Sequence, residues 1–400
     1  MKFKYPLLNN GFSTKDILEG IKVLKSGQIT MSKKTLKFEK EFAKKIGVKY
    51  AVMVNSGSSA NLLAAFASCN PLRKNIFKRG DEVLIPAVCW STSLWPFVQA
   101  GLEPIFVDTD LSTLNINIDD LEKKITKKTK VLVVIHVLGN SSNIEKIRSI
   151  CKKKKIILVE DTCESLGTRY KKKYLGSFSD FGTFSFYYSH QVTSGEGGMI
   201  VCHNDEDYDI LLSLRSHGWA RNLINQKKYE KKYKNLDNRF IFLNSGFNLR
   251  PTDIQAAIGS SQFKRMDSVK KIKKKNHKKV INKLKKDKNW KNQFTFIVEN
   301  KNIDPNWFGL SILINTPYIN KKKKFLNFLT KVGIENRPII SGNFINQPSF
   351  KLYKFKADKK TLLNSQNIEE RGLFIGLGNE LIENQSLDFL SKNLLKISNL

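Results

Sequence analysis

A histidine follows an aromatic run in the stretch FSFYYSHQVTSGEGG, residues 184–198. His190 lies at the end of the predicted strand and shortly before three glycines, which allow another backbone to approach closely. An imidazole can move protons near neutral pH, because its unperturbed pKa lies there. The alternative is a core histidine whose hydrogen bonds are satisfied. The first hypothesis is therefore a proton-transfer site at His190, which other parts of the chain must complete.

Five further residues are suited to binding a flat, anionic cofactor. Gly57 and Ser58 begin a helical pattern, so they could bind a phosphate, although such residues commonly only cap a helix. Trp90 could stack on a ring or could pack in the core. Asp161 could pair with a protonated ring nitrogen or could cap the next helix. Ser185, on the aromatic run before His190, adds a hydroxyl.

Short apolar runs alternate with helical patterns over the first 200 residues, as in a parallel sheet with helical crossovers. Runs without polar alternation are typical of strands buried on both faces. We therefore predict an α/β fold with a mostly parallel sheet covered by helices. Ligands of such sheets bind at the carboxyl ends of the strands, so the side chains above should meet in one pocket. The predicted strands are 51–54, 83–85, 105–107, 131–137, 156–159 and 199–201.

The remainder of the chain differs in pattern. A long lysine-rich helical pattern begins at about Thr252 and leads into a second α/β-like region that ends at Leu400. A length of 400 residues also favours more than one domain. We predict a large cofactor-binding domain over 1–251 and a smaller C-terminal α/β domain over 252–400.

The formal net charge of +33 raises the question of nucleic-acid binding. The lysines fall in separate clusters at 152–155, 270–279 and 321–324, and arginine, the better reader of phosphates and bases, is scarce. We expect a solvated surface that attracts small anionic substrates, and no nucleic-acid partner.

The five scattered cysteines predict neither a disulfide framework nor a zinc pair. No apolar run reaches the roughly 18 residues that a membrane span needs, so we expect no membrane association. The start of the sequence reaches Asn9 and Asn10 before a signal-peptide core could form. We therefore expect a cytoplasmic protein.

Together these positions supply groups that bind a phosphate (a phosphate cradle), an aromatic side chain that stacks on a ring, a carboxylate that pairs with a ring nitrogen and a group that transfers protons. Those are the parts needed to hold pyridoxal phosphate, whose chemistry as an electron sink depends on a protonated pyridine nitrogen. The glycines after His190 do not match the dinucleotide pattern GxGxxG. A GxxxxGK[ST] loop and an HExxH zinc site are also absent from the sequence.

Several stretches resemble the sugar-modifying DegT/DnrJ/EryC1/StrS aminotransferase family, which has fold type I of the pyridoxal-phosphate-dependent transferases. Ordinary members carry a lysine at the position of His190 that binds the cofactor covalently, and histidine there resembles the family's dehydratase branch. An imidazole cannot form that bond, so the cofactor and its amine form, pyridoxamine phosphate, would be held by non-covalent contacts alone. Gln191, the SGEGG turn and ITMSKK depart from the pattern of that branch. The stretches that carry the resemblance are SGSSANLL, PAVCWSTS, VEDTCESLG, TFSFYYSH with GEGG, RSHGWARN, SGFNLRPTDIQAAIG and ENRPIISGNF.

The resemblance implies a lyase that removes the C3 hydroxyl of a nucleotide-linked 4-keto-6-deoxyhexose, expected to be GDP-4-keto-6-deoxy-D-mannose. Glutamate would be the amino donor, His190 the catalytic residue, and a dideoxysugar for the O-antigen of lipopolysaccharide the product. It also implies a homodimer with shared active sites, in which Asn248 reaches the cofactor phosphate of the neighbouring subunit. The other implied cofactor-binding residues are Gly57, Ser58, Trp90, Asp161, Glu164 and Ser185, and the implied substrate-binding residues are His217, Arg221, Arg250 and Arg337.

Plainer interpretations stay open at this point. Asn248 could be a turn residue, and any of the arginines a structural ion pair. The protein could be a sugar aminotransferase, although that reaction normally needs the lysine, or a non-catalytic cofactor- or nucleic-acid-binding protein with a decayed site. A related iron–sulfur dehydratase uses four cysteines, three of them after the glycine turn. Because no cysteine follows Cys202, we expect neither an iron–sulfur cluster nor another metal.

Overall fold

The computed structural model describes residues 3–8, 11–73, 77–299 and 301–400, so Asn9 and Asn10 lie outside the described residues. The strands are β1 (Tyr50–Val54), β2 (Glu82–Pro86), β3 (Glu103–Val107), β4 (Thr129–Ile135), β5 (Ile157–Asp161), β6 (Arg169–Tyr170), β7 (Lys173–Tyr174), β8 (Phe181–Ser185), β9 (Gly198–Cys202), β10 (Phe294–Phe296), β11 (Ile303–Asp304), β12 (Leu310–Ile314), β13 (Asn336–Arg337) and β14 (Gly372–Ile375). Each of the six predicted strands corresponds to one of these.

Helices alternate with the strands of the first half, as predicted. They are α1 (Thr14–Ser26), α2 (Lys33–Ile46), α3 (Gly57–Ser68), α4 (Ser91–Gln99), α5 (Ile118–Lys124), α6 (Ile144–Lys154), α7 (Asp205–Arg215), α8 (Gln226–Lys232), α9 (Asp253–Lys264), α10 (Met266–Lys286), α11 (Lys322–Val332), α12 (Pro348–Leu352), α13 (Leu363–Arg371) and α14 (Asn384–Leu395). Short 3₁₀ turns cover Val137–Gly139, Asn238–Phe240, Ile319–Lys321, Phe344–Asn346, Lys359–Thr361 and Lys396–Asn399.

The large sheet has the strand order β1-β9-β8-β5-β4-β2-β3. The pairs β8/β5, β5/β4, β4/β2 and β2/β3 are parallel, whereas β9 runs antiparallel to both of its neighbours. The predicted mostly parallel sheet is thus confirmed. The carboxyl ends of β1, β5 and β8 lie at the same edge, which carries Gly57, Asp161 and Ser185.

Both faces of this sheet are covered, because successive side chains point to opposite sides. On one side Val52, Val133 and Val159 pack in a core that includes residues of α3, α4 and α7. On the other side Met53 packs with residues of α2 and α9, and Leu132 with residues of α5 and α6.

A second sheet, with the order β10-β12-β14-β13, consists of antiparallel pairs and lies entirely after residue 252. Helix α9 packs instead against α1 and α2 at the N-terminal end of the chain. The division at 251/252 stays a prediction.

Two local expectations were wrong in detail. The helical pattern from Thr252 forms two helices, because α9 ends at Arg265, whose N–H binds the carbonyls of residues 262 and 263. The aromatic strand ends at Ser185, and the N–H of His190 donates to the Tyr187 carbonyl (3.0 Å) in the turn that follows.

In the described part of the chain, no helix combines the length and apolar character that a bilayer crossing requires. The same residues contain no cluster of three or more histidine, cysteine or acidic side chains arranged to hold a metal ion.

Candidate active site

A cavity of about 690 Å³ opens at the carboxyl ends of β1, β5 and β8 and is closed on its far side by residues of β13 and β14. The two sheets therefore share it. Eight of the twelve predicted site residues line this cavity, namely Gly57, Ser58, Trp90, Asp161, Glu164, Ser185, His190 and Arg337.

The N-terminus of α3 forms one wall. Ser56 caps the helix with its hydroxyl. Gly57 lies so close to β8 that a Cβ atom placed on it would be 2.5 Å from Cβ of Ser185. Ser58 Oγ lies 3.1 Å from Oγ1 of Thr92. The backbone N–H groups of this helix end, with the hydroxyls of Ser58 and Ser185, form a polar surface suited to a phosphate.

Asp161, the last residue of β5, is fixed by three donors and is only 4% exposed. Its Oδ2 accepts hydrogen bonds from Nδ2 of Asn61 (2.9 Å) and Oγ of Ser93 (2.7 Å). Its Oδ1 accepts one from the N–H of Cys163 (3.1 Å). Charge-assisted bonds of this kind hold a carboxylate in one orientation. Asp161 thus presents a carboxylate to a group bound in the cavity.

The two glutamates beside Asp161 have different surroundings. Glu160 is fully buried, lies 2.9 Å from Nε2 of His136 and accepts two backbone N–H bonds, so it stabilises the fold beneath the cavity. Glu164 lines the cavity and accepts a bond from the N–H of Leu138 (3.0 Å). Burial, reinforced by the charge of Asp161, raises the pKa of Glu164 to about 7. Glu164 can therefore donate or accept a proton near neutral pH.

The imidazole of His190 lies between two aromatic rings. The ring centroids of Phe308 and Tyr187 are 5.1 Å and 5.8 Å away, both edge-on. Burial lowers the pKa of His190 to about 4, the charge of Asp161 opposes this, and that of Lys273 adds to it. Nδ1 has no hydrogen-bond partner among the described residues. His190 is consequently a neutral base at physiological pH.

Trp90 stands at the mouth of the cavity immediately before α4. It is 57% exposed, so the alternative of a core tryptophan is excluded. Arg337, on β13, forms an exposed ion pair with Glu335 (3.0 Å) at the opposite wall. The cavity thus has a flat aromatic surface on one side and a guanidinium on the other.

The four remaining predicted residues do not line the cavity of the same chain. Arg250 Nε donates to Oδ1 of Asn248 (3.0 Å), and its Nη2 lies 3.3 Å from Nε2 of His217. Asn248, Arg250 and Arg221 are exposed. We call Asn248, Arg250 and His217 the outer cluster.

Sequence reasoning missed three residues of the site. Asn61 follows Gly57 by four positions and so lies on the same helix face, a signal that was available. Ser93 lies in the quoted stretch WSTS without any indication that it holds Asp161. Phe308 comes from the segment before β12, and no local pattern connects it with His190.

Comparison with known proteins identifies close relatives. The sequence model of the DegT/DnrJ/EryC1/StrS aminotransferase family matches residues 13–388. GDP-4-keto-6-deoxy-D-mannose 3-dehydratase of Escherichia coli O55:H7 is 37% identical over 374 residues, which cover 93% of this chain and 95% of that protein.

Solved structures agree over the whole fold. E. coli GDP-4-keto-6-deoxy-D-mannose-3-dehydratase with bound hydrated PLP superposes with a TM-score of 0.87 at 35% identity, covering 98% of this chain and 100% of that one. GDP-4-keto-6-deoxymannose-3-dehydratase with a trapped PLP-glutamate geminal diamine gives a TM-score of 0.86 at 34% identity, with coverages of 98% and 100%.

Proposed function

This chain belongs to the DegT/DnrJ/EryC1/StrS aminotransferase family, and from that premise we propose that it is a pyridoxal-phosphate-dependent nucleotide-sugar 3-dehydratase. Its substrate is a nucleotide-linked 4-keto-6-deoxyhexose, GDP-4-keto-6-deoxy-D-mannose, and its amino donor is glutamate. The net reaction converts glutamate and the keto sugar into 2-oxoglutarate, ammonia and a 3,6-dideoxy-4-keto sugar, so the sugar loses one oxygen.

The observation that carries this proposal is a histidine, kept neutral by burial, in a cavity whose lining contains no lysine among the residues that the structure describes. An aminotransferase of this family normally needs a lysine at that position, whereas a dehydratase needs a group that takes up one proton and delivers it to a leaving hydroxyl. His190 meets the second requirement, since it is uncharged near pH 7 and its Nδ1 has no partner among the described residues.

The residues present fit pyridoxal phosphate, which when bound supplies an electron sink for carbanion chemistry. Gly57, Ser58 and Ser185 would hold the phosphate, and Trp90 would stack on the ring. Asp161 would bind the pyridine nitrogen and favour its protonated form.

His190 would take the proton from the cofactor carbon next to the amine and give it to the C3 hydroxyl as that group leaves. Glu164 lines the same cavity and would assist, because its pKa of about 7 lets it exchange protons near neutral pH. Arg337 would receive an anionic group of the sugar nucleotide or of glutamate.

We also propose a homodimer with shared active sites. The outer cluster supports it, because Asn248, Arg250 and His217 carry phosphate- and carboxylate-binding groups but do not line the cavity of their own chain. In a dimer they would complete the site of the second subunit. Arg221, which is exposed nearby in the sequence, would join them.

We assign the product to lipopolysaccharide O-antigen biosynthesis. A lipopolysaccharide biosynthesis protein of Salmonella typhimurium is 33% identical over 365 residues, which supports this assignment. A cytoplasmic location is supported by the five free cysteines, since disulfides are rare there.

His190→Asn tests the proposed function, because asparagine keeps a polar side chain of similar size but cannot exchange the proton. We expect dehydration of the keto sugar to be lost while pyridoxal phosphate binds with nearly unchanged affinity. The matched control is His203→Asn, an exposed histidine outside the cavity, which should keep full activity. Unchanged turnover in His190→Asn would refute the assignment.

A further inference from the structure

Lys273 on α10 is a buried lysine with no ion-pair partner among the described residues. It is 3% exposed, whereas Lys270 and Lys274 on the same helix bind Asp304 at 2.6 Å and 2.9 Å. An unpaired buried ammonium is costly, and burial lowers the pKa of Lys273 to about 8. It is still mostly charged at pH 7, so a positive charge lies in the interior without an acidic partner.

The neighbours of Lys273 along the helix show where it lies. Lys270 donates to the carbonyl of Gly167 (2.9 Å), and the ring of His277 stacks on Trp307 with the centroids 4.5 Å apart. Residues three and four apart share a helix face, so Lys273 lies between these two contacts. Lys273 therefore lies on the face of α10 that packs on Trp307.

That segment is also the neighbour of His190. The ring of Phe308 meets the imidazole edge-on at 5.1 Å, and the carbonyl of Asn306 accepts a bond from Nε2 of Gln191 (3.2 Å). Segment 306–308 thus contacts both α10, the helix that carries Lys273, and the turn that carries His190. Two buried oxygens at these contacts, Oε1 of Gln191 and Oδ1 of Asn306, have no donor within the described residues.

Other charged or titratable groups also face His190. The cavity places Asp161, Glu164, Cys163, Glu196, Arg337 and Tyr187 around it. Of the charges that act on His190 directly, Asp161 favours the imidazolium and Lys273 disfavours it, with burial acting in the same direction as Lys273. Lys273 is thus the cation whose charge opposes that of Asp161 at His190.

We propose that Lys273 is a positioning residue for the dehydration, whose positive charge acts through segment 306–308 to make the protonated form of His190 a stronger acid toward the leaving C3 hydroxyl. The effect of Lys273 on dehydration rests on the proposed function, whereas the electrostatic effect of Lys273 on His190 does not. Lys273 does not line the cavity, so it does not touch the cofactor or the sugar.

The test is the titration of His190 in the pyridoxal-phosphate-loaded enzyme, followed by NMR of ¹³C-labelled histidine and assigned with His190→Asn. In Lys273→Met the pH midpoint of the His190 titration should rise by roughly half a pH unit to one pH unit. This is the effect expected of a single charge that acts through a partly buried layer. Lys274→Met is the matched control, because that lysine is paired with Asp304 and Glu299, and should leave the midpoint unchanged. The acid limb of the pH profile for dehydration should move with the NMR midpoint.

Lys273→Arg separates charge from packing, since it keeps the charge and should keep the midpoint. An unchanged midpoint in Lys273→Met, or an equal rise in Lys273→Arg, would overturn the proposal. Lys273→Gln takes the place of the methionine variant if that variant does not fold. If the midpoint rises but wild type does not dehydrate the sugar, the electrostatic link holds and the proposed function fails. Trapping of Lys273 on the cofactor by borohydride would also overturn the proposal.

Discussion

The contact between Gly57 and Ser185 makes Gly57→Ala the most direct test of the phosphate cradle. The new Cβ would lie 2.5 Å from Cβ, 2.8 Å from Oγ and 3.1 Å from Cα of Ser185. Carbon atoms in contact are about 3.5 to 4.0 Å apart, so the helix end and the strand must separate by about 1 Å. Ser185 is held in register with Gly198 of β9, so the N-terminus of α3 is the part that moves.

Overpacking of this kind costs about 1 to 3 kcal/mol. We expect the affinity for pyridoxal phosphate to fall by about 5- to 100-fold, because each 1.4 kcal/mol is about tenfold. The assay is a titration with the cofactor followed by absorbance, together with thermal unfolding of the cofactor-free protein. Ser58→Ala is the control, since it removes one hydroxyl without adding bulk and should cost about tenfold or less. Affinity within twofold of wild type and an unchanged Tm in Gly57→Ala would refute the reasoning.

Three further predictions concern neighbouring groups. Asn61→Ala removes a donor to Asp161 and should weaken pyridoxal phosphate binding by about 10- to 100-fold, as measured by the same titration, and unchanged binding would argue against a positioned carboxylate. Because burial raises the pKa of Glu164 from 4.5 to about 7, the folded chain binds more protons than the unfolded chain in that window and loses stability as the pH rises through it. Glu164→Gln should therefore stabilise the protein more at pH 8 than at pH 5, which a larger rise in Tm at pH 8 would show. The difference in the free energy of unfolding should be at most about 3 kcal/mol, and an equal gain at both pH values would contradict this. Mixing refolded His190→Asn with Asn248→Ala should restore about one quarter of wild-type activity if the sites are shared, since half of the dimers then hold one intact site, and no restoration would refute the sharing.

Much of the candidate site could be predicted because its residues follow strands. Gly57 and Asp161 come directly or shortly after apolar runs, and a parallel sheet brings the carboxyl ends of such runs to one edge. The sequence left open whether Trp90 stacks on a ligand or packs in the core, and its exposure excludes the core. The family resemblance added Glu164 and Arg337, and both line the cavity.

The rest depends on long-range packing that no local pattern contains. The break between α9 and α10 at Arg265 occurs inside a continuous helical pattern, and Arg265 forms an ion pair with Asp16, far away in the sequence. Lys273 belongs to a lysine-rich stretch that is typical of a solvated helix face, yet it is buried on the face of α10 whose His277 stacks on Trp307. Its position follows from how α10 packs on the segment before β12.

The central claim is tested most directly by incubating the protein with pyridoxal phosphate, glutamate and GDP-4-keto-6-deoxy-D-mannose. The measured quantities are ammonia, 2-oxoglutarate and the mass of the sugar product. We predict equal amounts of ammonia and 2-oxoglutarate together with a sugar nucleotide that has lost one oxygen. An amino sugar formed without ammonia would contradict the account and would identify the protein as an aminotransferase.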